Sequence, residues 1–363
     1  MTYKETLFFI GQSLTINHSK ENKDAIEKQL KENPVDWDAI VKVSTGHFVF
    51  PALYCNLKRA HFLHYLPEDL VNYMVHITDL NRARNQKIID QAKEINELLL
   101  ANNITPIFLK GTGNLLEGLY EDIGERMVGD IDFIVSRDEY LKTISTLDKN
   151  NYKIIKESDN YRTFHWHYPA LVNPEKIGAV EVHNKILKKP YDYLLDNNIL
   201  KKDLIKKQET HFLSTKNKLL NAILPKIIND HLYYSQNISL RTMYDVFLIS
   251  KIEESQIDIK NKAIFKKFNS VLGCIQMVLN CSETIKIEKT KGLENYKRNY
   301  ISRLGNSKKV KIKSDIIDYL IKYREKMFIL KMAFYDPEYK NFVLKELAKI
   351  NFYKKLLGFK STI

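Results

Sequence analysis

Residues 107–135 read IFLKGTGNLLEGLYEDIGERMVGDIDFIV. An apolar strand from Ile107 runs into Lys110-Gly111-Thr112; a helical spacer follows, and Gly129-Asp130-Ile131-Asp132 opens a second apolar strand. Side chains alternate along a strand, so Asp130 and Asp132 share one face while Ile131 and Phe133 turn into a core. Carboxylates this close repel each other unless a cation sits between them. A bare Asp-x-Asp is common in surface loops and helix caps. Here, however, the acids open an apolar strand, where charge costs free energy unless a ligand offsets it. Oxygen ligands of this kind suit Mg2+ or Mn2+, held by one or two carboxylates together with substrate phosphates. Upstream, the Gly-Thr turn leads into a helix predicted over Asn114 to Tyr120, and backbone N–H groups at a helix N-terminus attract phosphate. The two halves outline one phosphate-and-metal device.

These residues resemble the nucleotidyltransferase superfamily typified by DNA polymerase beta and kanamycin nucleotidyltransferase, which reads Gly-Ser or Gly-Gly, a helix, then Asp-x-Asp and a later third acid. The closer likeness is to the bacterial uncharacterised nucleotidyltransferase group, with its LKG, a tyrosine near the helix end, an arginine and GDIDhhV. The chain is also similar to the nucleotidyltransferase toxins of type IV toxin–antitoxin systems. The matching positions are Lys110, Gly111, Thr112, Tyr120, Arg126, Asp130 and Asp132. Thr112 departs from the usual Ser or Gly but keeps a hydroxyl. The resemblance implies transfer of a nucleoside monophosphate from an NTP, with Asp130 and Asp132 on Mg2+ or Mn2+. Gly111 and Thr112 would then cradle the phosphates, with Lys110 or Arg126 as the cationic contact.

The third acid of that pattern is expected on a later strand, and residues 178–186, GAVEVHNKI, offer Glu181. Alternation puts Ala179, Glu181 and His183 on one face. A solvent-facing Glu181 would fit the same alternation. Under the resemblance Glu181 ligates metal or takes the acceptor proton, with His183 beside it and Glu175 the nearest other acid. Helix Arg137 to Lys149 and strands Tyr152 to Glu157 and Tyr161 to Tyr168 complete a small mixed sheet. His165 and His167 alternate on the last of these strands, but neither a Cys nor a third His is placed to complete a tetrahedral zinc set.

Outward from this core the chain reads as helices, giving an α+β fold: a small mixed β-sheet nucleotidyltransferase core with large N- and C-terminal helical parts. The expected segments are a helical region 1–102, the core 103–188, a helical region 189–285 packing on the core, a basic connector 286–313 and C-terminal helices 314–363. Pro67 starts a helix predicted over Glu68 to Asn102, with an apolar face at Leu70, Tyr73, Met74, Ile77, Leu80, Ile88, Ala92, Ile95 and Leu99. Further helices are predicted over 36–43, 49–59, 216–236, 239–253, 262–284, 314–334 and 336–357. HLYY at His231 and SLRTMYDVFLI at Ser239 resemble the group's H…LR…D pattern. Arg241 and Asp245, four apart, are placed to pair with each other, or Arg241 and His231 to face the nucleotide.

The net charge of +13 is concentrated. Residues 286–313 hold ten Lys or Arg against two Glu, a local excess of eight positive charges. Such a block is either a solvated connector or a contact for tRNA, another polyanion or an acidic membrane surface. No run reaches the roughly 18 to 20 apolar residues that cross a bilayer, and the N-terminus does not read as a signal peptide. A cytoplasmic protein is expected. Cys55, Cys274 and Cys281 are odd in number and sit in apolar surroundings, as reduced core thiols do. The acceptor is expected to be a small molecule or a sugar or polysaccharide precursor. The alternatives are a toxin-like enzyme acting on tRNA or protein and a non-catalytic nucleic-acid-binding protein of the same fold.

Overall fold

Short polar residues start most of the helices. Thr2 and Ser136 make capping boxes with Glu5 and Glu139, and Ser19, Asp36, Ser214, Ser239, Asn261 and Thr290 each accept a backbone N–H from the first turn. The structure, a computed structural model, describes residues 1–154, 166–253, 257–305 and 307–348.

Five helices come first: α1 (Tyr3–Ser13), α2 (Lys20–Glu32), α3 (Trp37–Gly46), α4 (Phe50–Arg59) and the 34-residue α5 (Glu68–Ala101). Then follow β1 (Ile107–Phe108), α6 (Lys110–Glu117), β2 (Asp130–Ile134), α7 (Arg137–Lys149), β3 (Lys153–Ile154), β4 (Leu171–Val172), β5 (Ala179–His183), α8 (Asn197–Lys202), β6 (Ile205–Lys207) and β7 (Thr210–Phe212). The chain continues through α9 (Thr215–Ile228), α10 (Leu232–Ser235), α11 (Leu240–Ile252), α12 (Lys262–Leu279), α13 (Lys291–Leu304), α14 (Ser307–Met332) and α15 (Pro337–Ala348). The fold is α+β, as the sequence implies.

The strands lie in one mixed sheet in the order β3-β4-β5-β2-β1-β7-β6. β2 runs parallel to β5 with Asp132 opposite Glu181, and antiparallel to β1. Its alternate residues Ile131 and Phe133 are wholly buried, as are Val180 and Val182 of β5, which fixes the acidic face of both strands. The sheet runs on past residue 188, because the β6–β7 hairpin adds beside β1. This pair is short and rich in Lys, Gln and Glu, so alternation gave no signal for it. The predicted strand 161–168 lies, apart from its last residues, outside the described residues.

α5 buries Met74, Ile88, Ala92, Ile95 and Leu99 of its predicted apolar face but not Tyr73 and Leu80. Tyr73 and Leu80 are exposed; the buried stripe is Met74, Thr78, Asn81, Asn85, Ile88, Ala92, Ile95 and Leu99. The spacing alternates four and three, a helical stripe with three polar members. The helix predicted over 216–236 breaks after Ile228: the N–H groups of Asn229 and Asp230 both turn to the Pro225 carbonyl, and His231 adopts φ 55. α12 stops at Leu279, where Asn280 supplies the left-handed cap. The basic connector is largely helical, because Leu293, Tyr296 and Tyr300 give α13 one buried face. All three cysteines are free and buried.

Two compact units divide the chain, the larger holding residues 1–155 and 167–307. α14 and α15 lie in the other, where the Phe328 and Tyr339 rings meet edge-on with centroids 6.2 Å apart. Among the described residues no helix is long and apolar enough to cross a membrane.

Candidate active site

Asp132 is the centre of the site. Its carboxylate is 2% exposed, and Oδ1 accepts from Lys110 Nζ at 2.6 Å and contacts His183 Nε2 at 2.8 Å. Burial alone would raise its pKa, but the His183 hydrogen bond and the Lys110 ammonium hold it well below the usual carboxylate range. Glu181, its register partner, has the Lys110 charge at longer range and no hydrogen bond to it. Burial first, and then the Asp132 charge, push Glu181 up to about 7. Asp130 is raised in the same way, by burial and by Asp132. Lys110 is raised despite its burial, because Asp132 lies against it. Lys110 faces all three carboxylates, with Arg241 acting on Asp130 from a second side.

Ligand atoms of Asp132, Glu181 and His183 all lie within 4.8 Å of one another. Asp130 is not part of that convergence; it stands two residues earlier on the same face. The carboxylates fit a divalent cation by chemistry and by their charge excess. His183 Nε2 also approaches Glu181 at 3.7 Å, its Nδ1 is buried with no hydrogen-bond partner among the described residues, and its ring packs at 5.2 Å from the His167 ring. His165 lies outside the described residues. Glu175, the other acid considered, is exposed in the turn before β5.

The LKGTG segment forms the first turns of α6 rather than a loop ahead of it, and Tyr120 lies beyond the helix end at Gly118. Lys110 carries φ 51, a left-handed conformation that costs a non-glycine residue about 1 kcal/mol or more. The geometry puts its side chain on Asp132 while the N–H groups of the first turn, which have no acceptor within the helix, face outward from its start. Gly113 permits the close approach of helix to strand: a Cβ there would lie 2.7 Å from the Phe108 carbonyl oxygen. The Thr112 hydroxyl is committed to the Asp130 carbonyl at 2.7 Å, so it anchors β2 to α6.

Arg126 is buried and bound on its fork by Asp245: Nε to Oδ1 at 2.9 Å and Nη2 to Oδ2 at 2.8 Å, with Tyr120 donating to the same Oδ1 at 2.7 Å. The expected Arg241–Asp245 pair is therefore replaced. The planar Arg126 guanidinium takes both oxygens in a bidentate contact, and Arg241 turns instead to the Met127 carbonyl at 3.2 Å and the Phe48 ring at 4.8 Å. His231 lies 2.9 Å from Lys188 Nζ.

The sequence reading missed the residues of α5 that hold these pieces. Asn81 Nδ2 donates to the Gly124 and Arg126 carbonyls, Asn85 Nδ2 to those of Ile123 and Arg126, and Gln91 bonds both backbone groups of Gly178 at the start of β5. The four-and-three spacing of Asn81 and Asn85 with Met74 and Ile88 was the available signal, and Gln91 lies off that stripe.

The model of a family described as uncharacterised nucleotidyltransferase matches residues 33–274, about two thirds of the chain. The chain belongs to this family. Every site residue described above lies within the match, so this nucleotidyltransferase carries its Asp-x-Asp strand, its LKG helix start and Asp245 on the family's own segment. Neither a curated protein nor a solved structure matches the chain.

Proposed function

We propose that this nucleotidyltransferase moves a nucleoside monophosphate from an NTP to an acceptor hydroxyl, in a reaction that depends on a divalent metal and releases pyrophosphate. The observation that supports this reading most is the convergence of Asp132, Glu181 and His183 within 4.8 Å, with Lys110 on Asp132 and Asp130 two residues earlier on the same face. Asp130 and Asp132, with Glu181 beside them, would hold Mg2+ or Mn2+. Once bound, the ion neutralises phosphate charge and aligns the displacement.

The chain's own groups supply the rest. His183 and Lys110 fix the Asp132 carboxylate in place. The first turn of α6 offers N–H groups to phosphate oxygens. Glu181 either completes the metal ligand set or takes the acceptor hydroxyl proton. The acceptor oxygen forms a bond to the α-phosphorus as the bond from that phosphorus to the β-bridging oxygen breaks, and pyrophosphate leaves with its electron pair.

A small molecule, sugar or polysaccharide precursor is the acceptor we favour. The test is to incubate the protein with each α-labelled NTP, Mg2+ or Mn2+, and separate fractions of small metabolites, tRNA and protein. Label entering the metabolite fraction with matching pyrophosphate release supports the reading. Label on tRNA or protein overturns the acceptor class, and no release with any NTP overturns the reaction.

A further inference from the structure

Four consecutive residues, Arg126-Met127-Val128-Gly129, lead into Asp130, and guanidinium groups from this segment, from α5 and from α11 contact the carbonyls of its last three residues. Arg126 Nη1 donates to Met127 O at 2.6 Å, as does Arg241 Nη1 from α11 at 3.2 Å. From α5, Arg84 Nε reaches Val128 O and its Nη2 reaches Gly129 O, both at 3.4 Å. The three cations are not equivalent. Arg126 is neutralised by the two oxygens of Asp245. Arg84 and Arg241 have no carboxylate within ion-pair distance among the described residues; each rests on long contacts to neutral carbonyls.

Uncompensated guanidinium charge is costly where water is scarce, and Arg241 is half-buried. Burial and the neighbouring Arg126 disfavour its charged form, and Asp245 and Asp130 offset them only in part. It is also held in orientation: the Phe48 ring covers it at 4.8 Å, and Phe48 itself takes φ 57 and is 47% exposed. Arg84 is exposed. Arg241 acts on Asp130 electrostatically, so this positive ledge adjoins the carboxylates. The cluster beyond carries carboxylates, while the ledge before it carries guanidinium groups. A metal-bound polyphosphate spanning the two would offset both.

We infer that Arg84 and Arg241 form a polyphosphate-binding ledge beside Asp130, which takes the β- and γ-phosphates of a nucleoside triphosphate. This rests on the nucleotidyl-transfer reading and assigns its anion contacts to two residues outside the LKG–DID stretch. Guanidinium forks match phosphate oxygens in pairs, and the carbonyl contacts hold each fork close to where the anion arrives.

The test is calorimetric titration of the full chain with inorganic tripolyphosphate and with ATP, both in Mg2+, for the parent, Arg84→Gln, Arg241→Gln, Arg241→Lys and the charge control Lys4→Gln. Each Gln variant should weaken tripolyphosphate binding roughly tenfold or more, the effect of removing one charge-assisted hydrogen bond. Arg241→Lys should recover part of this, and Lys4→Gln should match the parent. Arg84 is exposed, so Arg84→Gln keeps the question answerable if Arg241→Gln unfolds. Equal tripolyphosphate binding in parent and both Gln variants, or no binding by the parent, overturns the ledge. The two failures separate cleanly. NTP turnover at parent KM in both Gln variants sinks the ledge and leaves nucleotidyl transfer standing. Arg-dependent tripolyphosphate binding without turnover of any NTP does the reverse.

Discussion

Asp130 and Asp132 look equivalent in the sequence and are opposite in the structure. Asp132 is stabilised as a carboxylate by Lys110 and His183, whereas burial and Asp132 itself disfavour charge on Asp130. In EDTA, Asp132→Asn should therefore lower thermal stability by about 1–3 kcal/mol, because Lys110 and His183 would then face a neutral amide in place of a charged acceptor. Asp130→Asn should leave stability unchanged or raised. Calorimetric melts of the two variants decide this, and equal shifts would contradict it. Glu181 gives the pH dependence. Its carboxyl moves from 4.5 to about 7 on folding, so between those values the native state keeps a proton that the unfolded chain has released. Glu181's own contribution to the stability of the metal-free protein should fall as pH rises through that window, by on the order of 2 kcal/mol after solvent screening, and then level off. Chemical denaturation from pH 4 to 8 reads it, and Glu181→Gln should flatten the slope. The paired acids and Glu181 were legible because alternation on a strand fixes which residues share a face. The role of Thr112 was not, because a hydroxyl beside a glycine gives no sign of whether it meets phosphate or a carbonyl of its own chain.

Helix boundaries were legible where a cap residue stood, as at Ser136 and Ser239, and misplaced where backbone geometry decided, as at His231. α5 shows the deeper limit. An apolar count selects Tyr73 and Leu80, while tertiary context buries Asn81 and Asn85 because the loop ahead of β2 needs donors for its carbonyls. Asn85→Leu should leave the Ile123 and Arg126 carbonyls without this donor and cost about 1–3 kcal/mol. It should also cut turnover, since the loop it anchors leads into Asp130. A variant destabilised but fully active would detach α5 from the site. Gly113→Ala is the counterpart at the α6–β1 contact. A Cβ 2.7 Å from a backbone oxygen cannot be relieved by a side-chain rotation, so a fall in melting temperature is expected.

Buried polar ties join distant parts of the chain: Arg126 to Asp245 of α11, and Glu125 to both Arg59 of α4 and Tyr244. Asp245→Asn should leave the buried Arg126 guanidinium without its partner charge and destabilise by about 3–5 kcal/mol, read by denaturant titration. No local pattern announced this pair, because its members lie 119 residues apart. The overall order of helices, sheet and helices was legible from periodicity, and the β6–β7 hairpin was not.

The central claim is metal-dependent nucleotidyl transfer at the carboxylates, and pyrophosphate release tests it most directly. With Mg2+, the preferred NTP and its acceptor, the parent should release pyrophosphate, EDTA should stop it, and Asp132→Asn should slow it by at least about 10²-fold, as loss of a group acting on developing charge does. Full release by Asp132→Asn, or by the parent in EDTA, would contradict the claim.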